Sequence, residues 1–135
     1  MLIEIPMNTK MHNVKEIFFE LLSHGIVPIL AHPERYTAYY EDYNFFYDLR
    51  KMGVLMQLNF PSLVGFYGRQ AEKMAKMLLK YNLISFVGSD LHSNRDEKYE
   101  KMEKAKNIIV KIVGEVNAKE IMENNFLRVI YNQEI

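Results

Sequence analysis

Two apolar pentapeptides, Ile26-Val27-Pro28-Ile29-Leu30 and Leu83-Ile84-Ser85-Phe86-Val87, each run without a break into ionisable residues, and each follows an amphipathic helical segment. A short continuous apolar run bounded by turn residues is the pattern of a strand covered on both faces, which belongs to parallel sheets built from strand-helix units. The remaining segments fall into the same alternation. Leu2 to Ile5 forms a strand stopped by Pro6, and Val14, Ile17, Phe18, Leu21 and Leu22 recur at helical spacing. Ser23-His24-Gly25 closes that helix, with Gly25 as the left-handed cap and His24 as a solvated side chain suited to the helix dipole. Residues 43 to 52 form a second helix, ending near Gly53 before the strand Val54 to Leu58. Ala71, Met74, Ala75, Leu78 and Tyr81 make a third, and Met102, Ala105, Ile109, Ile112 and Val113 a fourth. Asn117 with Glu120 has the spacing of a capping box that opens a short last helix. Four strands, each followed by helix, predict an α/β fold with parallel strands and right-handed crossovers.

Composition narrows what such a fold is for. The chain has 135 residues, enough for one core, and no linker marks a second domain. Lys plus Arg and Asp plus Glu are both 17, so no net positive field steers nucleic acid, which is not an expected partner. There is no cysteine, which removes disulfides, thiolate metal sites and a thiol nucleophile, and suits a reducing, cytoplasmic setting. Neither a basic, apolar leader nor a run near the ~18 apolar residues of a membrane span is present, so the expectation is a protein that is not embedded in a membrane.

The residues at the strand ends carry the chemistry. Asp90 and His92 are two apart, so in extended backbone they point to one side and can grip one ion or one phosphate. The plainer alternative is that Asp90 caps a turn and His92 lies in a surface loop. Glu4, among Leu2, Ile3 and Ile5, should be buried and therefore needs a cationic partner or a metal, unless it lies on an exposed edge. His32 precedes Pro33, whose ring favours extended backbone at His32, and Arg35 is near enough to share the mouth of the sheet. A planar guanidinium suits bidentate contact with phosphate; the alternative pairs Arg35 with Glu34. Glu4, His32, Asp90 and His92 are oxygen and nitrogen donors of the kind that take Mn²⁺, Fe, Zn²⁺ or Mg²⁺. Tyr36, Tyr39, Tyr40, Tyr43 and Tyr47 are dense enough for an aromatic rim around an aryl substrate, although helix packing uses the same pattern.

The segments Gly25 to Tyr36, Gln57-Leu58-Asn59 with Ser62 to Gly68, Phe86 to His92, and Glu123 to Ile130 together resemble the manganese-dependent protein-tyrosine phosphatases of capsular and exopolysaccharide loci, in the polymerase and histidinol phosphatase (PHP) superfamily. The resemblance runs through essentially the whole chain. It implies a distorted seven-stranded β/α barrel with up to three metals, of which residues 1–135 form a single partial PHP-type domain of about four strand-helix units, lacking the N-terminal strands. It places Glu4, His32, Asp90 and His92 on metal-ligand positions and Arg35 on the phosphate-binding arginine. Asp90, or a water it orients, is the implied proton donor to the leaving phenolate. The family's opening His-x-His pair is absent, and its further arginine beyond Asp-x-His has only Arg95, closer in sequence, as a counterpart. The implied activity is metal-dependent hydrolysis of phosphotyrosine, with Mn²⁺ as the cofactor and the tyrosine-rich tail of a bacterial autokinase as substrate. A half-barrel with open strand edges is expected to self-associate as a homo-oligomer. The alternatives are another PHP phosphoesterase, such as a histidinol-phosphate phosphatase, and a non-catalytic fragment.

Overall fold

A computed structural model describes the backbone of residues 1–90 and 97–135, and the side chains of residues 1–90 and 101–135. His92 and Arg95 lie outside the described residues. Four parallel strands form one sheet in chain order: β1 (Leu2–Ile3), β2 (Ile29–Ala31), β3 (Leu55–Asn59) and β4 (Phe86–Gly88). The register pairs Leu2 with Ile29, Ile29 with Leu55, and Gln57 with Phe86. Helices α1 (Val14–Ser23), α2 (Tyr43–Met52) and α3 (Arg69–Lys80) make the three crossovers. Helix α4 (Glu97–Lys119) follows β4, continues through a wide turn at Glu120–Asn124, and ends in α5 (Asn125–Ile130). The predicted parallel α/β order is therefore present.

The core explains why these segments fold as they do. Leu30, Met56 and Leu58 from the sheet, Phe18 from α1, Phe46 and Leu49 from α2, and Leu78 from α3 are each no more than 1% exposed. Burying one such side chain contributes roughly 1.5–3 kcal/mol, against the ordering entropy of each fixed residue. On α2, Phe46 meets Phe45 edge-on and Tyr39 stacks on Phe45 at 4.0 Å, locking the start of that helix over the loop that leaves β2.

Gly25 closes α1 as expected: its φ of 73° lets its N–H reach Leu22 while Ile26 N–H reaches Leu21. His24 is exposed, with Nδ1 2.8 Å from the Glu20 carbonyl oxygen. Other expectations need correction. Strand β1 ends at Ile3 rather than Ile5, because the Ile5 N–H is taken by the Tyr36 hydroxyl at 3.2 Å instead of a neighbouring strand. Strand β2 begins only at Ile29; Ile26 and Val27 are 39% and 49% exposed, outside the ladder. The capping box at Asn117 is absent. The break falls at Gly114, whose backbone is non-helical, and Asn117 Nδ2 donates to the Val113 carbonyl.

Candidate active site

The chain segments that leave the C-terminal ends of the strands gather the ionisable residues, which in α/β proteins is the end where ligand sites are built. Strand β2 delivers His32. Its N–H donates to the Gln57 carbonyl at 2.7 Å, and its backbone then turns left-handed, with φ 35° and ψ 57°. The extended geometry expected from Pro33 is thus not adopted. The left-handed residue is what swings the chain out of the sheet into the tight turn Pro33–Arg35. Asp90, just past β4, is also left-handed at φ 50°. Such backbone costs an L-residue about 1–2 kcal/mol, and strain of this kind collects at functional sites.

Two pairs result. In the first, His32 Nε2 lies 2.9 Å from Glu4 Oε1; the imidazole is buried while the carboxylate is 62% exposed. The expected burial of Glu4 is therefore wrong, since the short β1 releases it to the rim. The group that meets it is the His32 imidazole. His32 Nδ1 is buried with no hydrogen-bond partner among the described residues. In the second pair, Arg35 Nη1 donates to Asp90 Oδ2 at 3.1 Å, and Asn59 Nδ2 donates to the same oxygen at 2.9 Å. The guanidinium lies over the Tyr67 ring, 4.3 Å from its centroid. A planar cation on an aromatic face keeps its N–H edge available for a planar or tetrahedral anion.

Sequence reasoning missed Glu34. It is wholly buried, and Oε1 accepts from the Ser62 hydroxyl at 2.6 Å and from the Asn59 N–H at 3.1 Å. Burial pushes its carboxyl up to about 7, against those two bonds, which hold it down. The alternative pairing of Glu34 with Arg35 does not occur in hydrogen bonds; Arg35 turns to Asp90 instead. A turn with three residues per revolution sends neighbouring side chains in different directions, but the turn is seen only in the structure, and the sequence carried no signal for it. Asn59 was visible only as part of the resemblance, with no role attached.

The tyrosines divide. Tyr36 and Tyr39 are core side chains whose hydroxyls accept from Ile5 N–H and Met11 N–H, and burial raises Tyr36 to about 12. Tyr40 donates to the Glu34 carbonyl. Tyr43 and Tyr47 are half exposed and line a groove with Met77 and Tyr81. Packing accounts for the first three, and no rim of all five exists.

The donor set fits a divalent cation in kind. His32 and Glu4 bring an imidazole nitrogen and a carboxylate oxygen within 2.9 Å of each other, donors of the kind that divalent cations take. Among the described residues, however, no three His, Asp or Glu side chains converge as a metal cluster; Asp90 is joined to Arg35 and Asn59 rather than to Glu4 and His32.

A parallel sheet whose strand ends pair an imidazole with a carboxylate, and a guanidinium with another, gathers its charged groups at the end where α/β folds place their ligands. Residues 1–131 match the family model described as capsular polysaccharide synthesis, CpsB/CapC, and the chain belongs to that family. It is 32% identical over 102 residues to the tyrosine-protein phosphatase YwqE of Bacillus subtilis, covering 76% of this chain and 40% of that protein. It is 32% identical over 139 aligned positions to the tyrosine-protein phosphatase CpsB of Streptococcus pneumoniae, covering 99% and 57%. A crystal structure from work on YwqE and CpsB, described as unique metal-dependent tyrosine phosphatases, superposes with a TM-score of 0.88 at 28% identity. It covers 98% of this chain and 53% of that one. The chain thus spans about half the length of these relatives, or less.

Proposed function

We propose that residues 1–135 carry part of the catalytic site of a metal-dependent protein-tyrosine phosphatase, within a PHP-type barrel whose remaining strands this chain does not supply. What carries the reading is the gathering of Glu4 with His32, and of Arg35 with Asp90 and Asn59, at one end of the sheet of a family member. Arg35 binds the phosphoryl oxygens and neutralises charge as it shifts toward them. Asp90, accepting from Arg35 and Asn59, orients the guanidinium; its assignment as proton donor is secondary to that. Glu4 and His32 would hold the metal, with His92 and, on release from Arg35, Asp90 completing the ligand set, and Mn²⁺ is favoured over Fe, Zn²⁺ or Mg²⁺. A divalent cation bound there supplies Lewis-acid charge and lowers the pKa of a water toward neutrality.

The substrate in this reading is a phosphotyrosine protein, the tail of a tyrosine autokinase, in the cytoplasm. No helix among the described residues is long and apolar enough to cross a membrane. Assay of a phosphotyrosine peptide beside histidinol phosphate, each with added Mn²⁺, tests the reading. Peptide turnover in excess supports it. Preference for histidinol phosphate moves the chain to another PHP phosphoesterase activity, and no turnover of either by this chain leaves a non-catalytic fragment.

Self-association belongs to the same proposal. Strand β1 is at the sheet edge with Leu2 56% exposed, and Phe19 on α1 is 67% exposed. Light scattering should give a mass above 16.0 kDa, and a strictly monomeric species contradicts it.

A further inference from the structure

Glu34 and Arg35 are neighbours in sequence, and the tight turn that holds them aims the first into the protein and the second toward the mouth of the sheet. From Glu34 the bonds run on in one circuit. Its Oε1 receives the Asn59 N–H, Asn59 Nδ2 donates to Asp90, Asp90 accepts from Arg35, and Arg35 returns to Glu34 through the peptide bond. The ring joins the ends of β2, β3 and β4, the three strands that deliver these residues. A packing position has no need of this. Leucine fills a similar volume without the cost of burying a carboxyl, whereas this carboxyl is buried completely, with Oε2 unpartnered among the described residues.

We propose that Glu34 is a positioning residue: by fixing the Asn59 backbone it sets the Asn59 side chain on Asp90, and so holds the Arg35 guanidinium in the pose that meets a phosphoryl group. The ligand half of this rests on the phosphatase reading; the ring does not.

The test uses the full 135-residue chain with two measurements. One is the Arg35 Nε–Hε resonance, sharp when the guanidinium is held. The other is calorimetric affinity for orthovanadate. Glu34→Leu should broaden the resonance and weaken orthovanadate about tenfold, as expected for losing a bond to a charged group. Glu34→Gln, whose amide oxygen still accepts from Asn59 and Ser62, should restore both. Asn59→Ala should match Glu34→Leu, and the double variant should be no worse than either single one, because both act on one path. A merely structural Glu34 gives additive losses. Should the leucine variant not fold, Ser62→Ala serves: it removes the Ser62 bond to Glu34 and should loosen Arg35 to a smaller degree. An Arg35 resonance unchanged in these variants overturns the proposal. A sharp, Glu34-dependent resonance in a chain that binds no orthovanadate retains the ring but overturns the phosphoryl-binding half, together with the phosphatase reading.

Discussion

Arg35→Ala should lower turnover of a phosphotyrosine peptide by about 10²–10³-fold, the scale on which a single transition-state charge donor acts, while leaving the fold intact. Arg35 is partly exposed, and its loss leaves Asp90 still bonded to Asn59, so circular dichroism and the unfolding midpoint should change little. Lysine should restore only a small part of the activity. An ammonium has no planar fork to share between Asp90 and a phosphoryl group, and it stacks on the Tyr67 face less well than a guanidinium does. Turnover undiminished in Arg35→Ala contradicts the assignment of this residue, and a collapsed fold contradicts the view that it acts on ligand rather than on stability.

The second large effect concerns stability and pH. Glu34 is held up to about 7 from an ordinary 4.5. Between those values the folded chain retains a proton that the unfolded chain has released. The stabilisation is therefore complete below about 4.5 and is lost as pH rises through about 7. A difference of 7 less 4.5 corresponds to a loss on the order of 3 kcal/mol. Glu34→Gln keeps the accepting oxygen and has no proton to lose. Urea unfolding of both proteins at pH 5 and pH 8 should show the variant gaining on the native chain at the higher pH, and taking the difference cancels the other titrating groups. Parallel pH profiles contradict a buried, proton-retaining Glu34.

How much of this was legible in the sequence depended on the length scale of the signal. Strand and helix order could be read because apolar runs and helical spacing extend over many residues: Leu30, Met56 and Phe86 lie in a buried sheet, and Phe18, Phe46 and Leu78 face it from three helices. The ends could not. Strand β1 is cut short by a tertiary contact, Tyr36 on Ile5, from residues 31 positions apart. His32 disobeys the local preference set by Pro33 because the sheet on one side and the turn on the other require a left-handed residue between them. Apposition of Glu4 with His32 was anticipated in outline. Asp90 reaches Arg35 and Asn59 instead of joining that pair among the described residues, and Glu34 was overlooked because nothing local distinguishes a carboxylate pointing inward from one pointing outward.

The central claim is that the His32–Glu4 and Arg35–Asp90 pairs form one site, the first for a metal and the second for a phosphoryl group. Its most direct test is the affinity of the chain for inorganic phosphate, measured with and without Mn²⁺, in the native protein and in His32→Ala. Manganese should tighten phosphate binding about tenfold, within the usual range of coupling between sites, and His32→Ala should abolish that gain while leaving the metal-free affinity in place. Phosphate affinity that is the same with and without manganese in the native chain contradicts the claim.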